Sequence, residues 1–215
     1  MRIARINAPA CEGGEQPWWD AAGQCLYYID NTGQKIHRFT PDTGGIESWA
    51  TPSVITSFAL CTDGAAIVTM RSGIHRLDLQ SGTFEPVHPL PDPPPLVYND
   101  AKVDAKGRWL IGASTPHFSD PVPDGGLFRL DPDHRLVQLD GDIHFSNGPC
   151  FSPDGRPLYF SDSWRKLCYA YDYEPETGAV SGRRVFLDTT ELGGLPDGAT
   201  GDERGIVWIA LYGAG

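Results

Sequence analysis

"DAAGQCLYYIDNTGQKIHRFTPDTG", residues 20–44, decides the fold. An Asp-x-x-Gly turn leads into an apolar strand, a polar turn follows, and a second strand alternates apolar and polar side chains. The same unit returns as "TDGAAIVTMRSGIHRLDLQSG" (62–82) and as "DAKGRWLIGAS" (104–114), continued after an insertion by "GGLFRLDPD" (125–133). It returns again as "SPDGRPLYFSDSWRKLCYAYDYEPETG" (152–178) and opens once more in "DERGIVWIALYG" (202–213). The turn glycines Gly23, Gly64, Gly107, Gly155 and Gly205 stand 41, 43, 48 and 50 residues apart. Short strands of ~4–6 residues recurring every ~40–50 residues are the signature of propeller blades. A sandwich lacks such regular two-strand units, and β-helix repeats are much shorter. The expected fold is all-β, a β-propeller of four-stranded blades, with residues 1–215 as one domain.

Composition agrees. The chain has 215 residues, 40% of them hydrophobic, which is enough for a sizeable core. Gly 25 and Pro 19 are too many for a helical bundle. No apolar run approaches the ~18 residues of a membrane span. The start, "MRIARINAPACEGGE", has no continuous apolar segment of the secretory kind, so a cytoplasmic location is expected. A net charge of −11, spread along the chain, argues against nucleic acid and anionic membrane as partners. The cysteines Cys11, Cys25, Cys61, Cys150 and Cys168 are odd in number and contain no C-x-x-C pair, so reduced thiols are expected rather than a zinc knuckle.

At this period 215 residues make fewer than five repeats, and the fifth stops partway. A ring with an incomplete blade leaves sheet edges unpaired. Either the chain is a C-terminal truncation of about four and a half blades, which is the expectation, or a partner supplies the missing part. The stretch "RIARINA" (2–8) would close the last blade by adding a strand.

Repeated residues build blades; polar residues that do not repeat, near strand starts, are candidates to line a central channel. Four places stand out: Glu15 in "GGEQPWW", Asn99 and Asp100 in "VYNDAKVD", Asn147 in "SNGPCFSPDG", and Asp197 in "LPDGATGDERG". Asn99 lies five residues before Asp104, Asn147 seven before Asp154, and Asp197 five before Asp202. Equivalent positions in successive blades point to one axis, so these side chains are expected to converge. Carboxylates and amide oxygens that converge are hard ligands suited to a divalent cation, which would also relieve repulsion between Glu15 and Asp197. The plain alternative for each Asn-Gly or Asp-Gly pair is a β-turn. From "SPDG" onward, residues 152–163 read as ordinary turn and strand.

With these residues located, the chain resembles the senescence-marker-protein/gluconolactonase family, which includes regucalcin-like proteins and sugar lactonases. "GEQPWWD" is similar to the family's G-E-x-P-x-W opening, and "YNDAKVDAKGRWLIGA" to its N-D-x-x-x-D-x-x-G-R segment. "SNGPCFSPDGRPLYFSDS" and "LPDGATGDERGIVWIALYG" resemble its two other site motifs in order and separation. The resemblance implies a six-bladed propeller and one divalent cation (calcium, zinc, manganese or iron) held by Glu15, Asn147 and Asp197. It implies contact of Asn99 with water or substrate, and Asp100 and Asn147 are grouped with it on the substrate side. Two departures bear on the sugar. Val97 stands where many members carry an Arg two residues before the Asn, and the insertion "STPHFSDPVPDGG" lacks a substrate-contacting Glu, leaving His117, Asp120 or Asp124 to substitute.

The activity so implied is hydrolysis of a sugar lactone such as glucono-, xylono- or arabinonolactone, with Asp197 as general base and Asn99 and Asn147 orienting water and substrate. No G-x-S-x-G elbow supports a serine nucleophile. His144, three residues before Asn147, is a candidate to support the ligands from behind or an ordinary blade residue. The rival reading is a binding module in which the cation is structural.

Overall fold

Alternation in residues 25–30 becomes a strand buried on one side: Cys25, Tyr27 and Ile29 point inward, and Leu26 and Tyr28 are only partly covered. The computed structural model describes residues 6, 8–116 and 122–214. Most of the stretch 2–8, together with His117 and Asp120, lies outside the described residues. The chain divides into two compact units, Met1–Pro89 and Leu90–Gly215.

In the first unit, β1 (Gly14–Asp20), β2 (Cys25–Asp30), β3 (Lys35–Thr40) and β4 (Gly45–Ala50) form an antiparallel sheet in chain order. A second sheet repeats the pattern with β5 (Ile55–Leu60), β6 (Ala66–Met70), β7 (Gly73–Leu77) and β8 (Phe84–Pro89). Ile29, Ile36, Ile55, Phe58, Val68 and Met70 are buried together between them, and the Tyr27 and Phe58 rings stack 5.2 Å apart. Full burial of such side chains contributes roughly 1.5–3 kcal/mol each.

The second unit holds two more four-stranded meanders. One is β9 (Val97–Val103), β10 (Trp109–Ser114), β11 (Gly125–Leu130) and β12 (Leu136–Ile143). The other is β13 (Ser146–Phe151), β14 (Pro157–Asp162), β15 (Leu167–Glu174) and β16 (Ala179–Asp188). β17 (Leu195–Gly201) and β18 (Val207–Tyr212) pair as a two-stranded sheet. The core of the second unit joins Leu110, Leu127, Ile143, Leu158, Phe160 and Tyr171 from the two four-stranded sheets. The only helix among the described residues is a single 3₁₀ turn, Thr190–Leu192, and none is long and apolar enough to cross a membrane. The all-β reading is met, and each four-stranded meander has the form of a propeller blade. Each of the first four sequence repeats supplies the second and third strands of its sheet, and the fifth supplies β18 alone.

The repeated turn works as its residues suggest. Asp104 Oδ1 accepts the N–H groups of Lys106 and Arg108 at 2.9 and 2.8 Å, while Gly107 takes φ +79°. The first repeat differs: Gln24, not Gly23, is left-handed at φ +48°. A Cβ at Gly23 would lie 2.4 Å from Asp20 Oδ2, the tip of a side chain that would have to swing aside.

Buried ion pairs fasten the two full sheets of the second unit. Arg108 donates to Asp104 at 2.6 Å and to the carbonyls of Pro175 and Glu176, and Tyr173 donates to Asp104 at 2.5 Å. Arg129 pairs with Asp131 and reaches the carbonyls of Thr177 and Gly178, both at 2.8 Å. Five thiols are unpaired, and burial pushes that of Cys150 up to about 12.

Candidate functional site

Every first strand of a sheet carries an irregularity. In β1, Glu15 and Trp18 face Ile29 and Tyr27; in β13, Asn147 and Cys150 face Ser161 and Tyr159. In β9, Tyr98 and Ala101 face Ala113 and Ile111; in β17, Pro196 and Ala199 face Leu211 and Ile209. In each case three steps along the first strand match two along its partner, so one extra residue is accommodated. A β-bulge of this kind re-aims side chains and raises the local twist. All the sequence-predicted residues lie in or beside these bulges: Glu15, Asn99, Asp100, Asn147 and Asp197. In β5 the extra residue is Thr56, whose hydroxyl is engaged with Thr69 Oγ1 at 2.8 Å.

The bulges of β9, β13 and β17 bring four of the candidates together in the second unit. Asn99 donates through Nδ2 to Ser146 O at 2.8 Å and to Asn147 Oδ1 at 2.9 Å. Asn147, only 4% exposed, donates in turn through Nδ2 to Ser163 Oγ at 2.9 Å. Ser163, also buried, donates to Pro196 O at 2.6 Å, beside Asp197. Polar groups linked in this way polarise one another and hold a single arrangement. Sequence reading misses Ser163, which falls in a stretch with the look of ordinary turn and strand.

Gly148 explains the Asn-Gly pair. It adopts φ +50°, and a Cβ there would lie 2.4 Å from Asp197 O. Only glycine lets β13 approach β17 this closely. Its N–H donates to Asp100 Oδ2 at 2.9 Å, so buried Asp100 ties β9 to the same bulge. Half-buried Asp197 has its carboxyl held above the usual range, first by burial and then by the charge of Asp100, with the Gly198 N–H pulling the other way. Buried Asp100 and half-buried Asp197 thus gather negative charge in partly dry surroundings. The Asn147 carboxamide oxygen and the Asp197 carboxylate are hard oxygen donors, so this donor set fits a divalent cation.

The segment before Asn147 is held by Asp162, a fully buried carboxylate that accepts the N–H groups of His144 at 2.9 Å and Phe145 at 3.2 Å. The His144 ring also meets Asp162, with Nδ1 to Oδ2 at 3.2 Å. In the first unit Asp30 does the same for Glu15: it accepts the N–H groups of Glu12 and Gly13 at 3.1 and 3.0 Å. Gln16, which follows Glu15, has φ +50° as Gly148 does after Asn147. Exposed Glu15 therefore occupies, in its own sheet, the local geometry that Asn147 occupies in its sheet.

Cys11, Asp30 and His37 form a second group of potential ligand atoms, all within 4.8 Å of one another. Burial opposes charge on Asp30, yet the N–H groups of Gly13, Gly33 and Glu12 hold its carboxyl below the usual range. Burial, followed by Asp30, pushes the Cys11 thiol up. Asp30 is thus committed to the backbone in the manner of Asp162. Val97 opens β9 and is half-buried, and Asp124 is exposed just ahead of β11.

Comparison with known proteins covers nearly the whole chain. A profile of the SMP-30/Gluconolactonase/LRE-like region matches residues 13–215. Regucalcin of Danio rerio is 32% identical over 204 residues, 95% of this chain and 69% of the relative. Pentonolactonase XacC of Haloferax volcanii is 31% identical over 215 residues, 100% of this chain and 72% of the relative. The crystal structure of regucalcin, a calcium-binding protein from Agrobacterium tumefaciens, superposes with a TM-score of 0.86 at 25% identity, covering 94% of this chain and 68% of that one.

Proposed function

The chain belongs to the SMP-30/Gluconolactonase/LRE-like family, and from that premise we propose that it hydrolyses a sugar lactone, with a divalent cation held by Glu15, Asn147 and Asp197. The observation that carries this reading is the convergence of Asn99, Asn147 and Asp197 on adjacent bulges, tied by one chain of hydrogen bonds that ends on Pro196 O beside Asp197. The pentonolactonase relative supports the substrate class. A six-bladed ring is the fold that goes with this proposal.

Bound by these oxygens, a divalent cation supplies Lewis acidity toward the lactone carbonyl. The rest falls to the chain. Asp197, through a carboxylate oxygen the cation leaves free, takes a proton from the attacking water as the water oxygen adds to the carbonyl carbon. When the ring C–O bond breaks, the same carboxyl returns that proton to the departing oxygen, giving the aldonic acid. Asn99 has committed Nδ2 to Ser146 and Asn147, and presents Oδ1 as an acceptor for water or a sugar hydroxyl. Asp100 keeps the β13 bulge in place and keeps a second negative charge near Asp197.

The test is proton release from glucono-, xylono- and arabinonolactone by metal-stripped protein, before and after adding calcium, zinc or manganese. Cation-dependent turnover of one of them is expected, and Asp197→Ala should lose it. The rival is a cation-binding protein without turnover, favoured by the calcium-binding character of the Agrobacterium regucalcin. A tightly held cation with every aldonolactone left intact would decide for it.

A further inference from the structure

We propose that Ser163 is a positioning residue that fixes which end of the Asn147 carboxamide faces the cation; the proposal rests on the reading of Asn147 as a ligand. The two ends of a carboxamide are nearly identical in shape, and a half-turn exchanges them at little steric cost. Only their hydrogen-bond partners tell them apart, since one end accepts and the other donates.

Both partners of Asn147 are themselves fixed by main-chain carbonyls. Ser163 has one hydroxyl proton, and it is spent on Pro196 O at 2.6 Å, a group that can only accept. Toward Asn147 the Ser163 oxygen can therefore only accept, so the atom 2.9 Å away must be the donor Nδ2. From the other side, Ser146 O at 2.8 Å requires the Asn99 atom facing it to be a donor. That same Asn99 nitrogen then faces Oδ1 of Asn147 at 2.9 Å. The two halves of the chain favour the same orientation, and it takes both to hold it.

Ser163 is well held for this task. It is 2% exposed, and its own N–H donates to Phe145 O at 2.8 Å, two residues before Asn147. Asp162 beside it holds the N–H groups of His144 and Phe145. Consequently the hydroxyl and the carboxamide it reads move as one piece. Without the hydroxyl, a buried N–H loses its acceptor and a flipped carboxamide, presenting NH₂ to the cation, becomes competitive.

A double-mutant cycle tests this, with Mn²⁺ binding measured by titration calorimetry. Ser163→Ala is made in the parent and in Asn147→Asp, whose carboxylate has two equivalent ends and no orientation to lose. Ser163→Ala should weaken Mn²⁺ binding about 10- to 100-fold in the parent, the usual consequence of removing support behind a ligand. In the Asn147→Asp background the loss should be under about threefold. Ser163→Cys, which fills the space with a poor acceptor, is run in parallel and should behave alike. Equal losses in both backgrounds would overturn the proposal, because Ser163 would then act on the fold as a whole. Unchanged affinity in the parent background would overturn it as well, while leaving the cation site standing. Absence of Mn²⁺ binding by the parent protein would sink the site reading itself, and this inference with it.

Discussion

Replacing Gly148 by Ala tests whether close approach, as distinct from backbone freedom, explains the Asn-Gly pair. Two costs are expected. At φ +50° an L-residue pays roughly 1–2 kcal/mol for the left-handed conformation. The new Cβ would also sit 2.4 Å from Asp197 O and 3.0 Å from Ala199 N, so β13 and β17 must separate. Overpacking of this kind costs roughly 1–3 kcal/mol. Together they make ~2–5 kcal/mol, or about 5–15 °C in the unfolding midpoint for a chain of this size. Gly155→Ala is the matched control: Gly155 has φ +69° but nothing within 4 Å of the place its new methyl group would take, so it should bear only the first cost. Thermal unfolding of the two variants, followed by circular dichroism, isolates the second cost as their difference, about 1–3 kcal/mol. Midpoints within ~2 °C of each other would refute the close-approach reasoning. Because the displaced atom belongs to Asp197, calorimetric cation affinity should fall in Gly148→Ala and stay unchanged in Gly155→Ala.

Asp197→Asn should stabilise the metal-free protein by about 1 kcal/mol near neutral pH, since it removes a charge opposed by burial and by Asp100, and should abolish stabilisation by added cation. The sign follows from the raised carboxyl. The native state binds the proton more tightly than the unfolded chain, so the penalty is present above the native value and fades as pH falls toward 3.8. A variant less stable than its parent in metal-free urea titrations would contradict this. Asp104→Asn should cost about 3–5 kcal/mol at pH 7, leaving buried Arg108 without its partner. Burial opposes the Asp104 charge, but Tyr173 and Arg108 lower its carboxyl overall. Its contribution is therefore present above about 3.8 and lost as pH falls through the native value, so urea midpoints of variant and parent should converge in acid. Asn99→Ala should cut lactone turnover by a larger factor than it weakens cation binding through Asn147; comparable losses of both in parallel kinetic and calorimetric measurements would remove Asn99 from the substrate side.

The blades were legible in the sequence because their signals are local. An Asp that captures the N–H groups two and four residues on, followed by a left-handed Gly, can be read from "DAKGR" alone. The positions of Asn99, Asn147 and Asp197 were legible too, as polar residues that break the repeat. Their bulges were not, because a bulge is a mismatch in count between two strands and one strand does not display it. Ser163 stayed hidden for a related reason. Its partners, Asn147 and Pro196, lie 16 and 33 residues away, and "DS" after a strand is common turn chemistry. One signal was available: "YYID" and "YFSD" end the second strand of their sheets on an Asp, and both Asp30 and Asp162 bind the chain just ahead of a candidate ligand. Gln24 shows the opposite limit, since the Gly at the expected place is not the left-handed residue and its neighbour takes the strained backbone.

The hydrogen-bond chain through Asn99, Asn147 and Ser163 has carbonyl oxygens at both ends, Ser146 O and Pro196 O. Its links include two carboxamides, which do not give up an N–H proton under ordinary conditions. Such a chain is an insulator. It can orient and polarise, yet it cannot relay a proton by the hop-and-turn that water or imidazole permits. Any proton exchanged at Asp197 is therefore not carried by this chain, which stops at the carbonyl of the neighbouring Pro196.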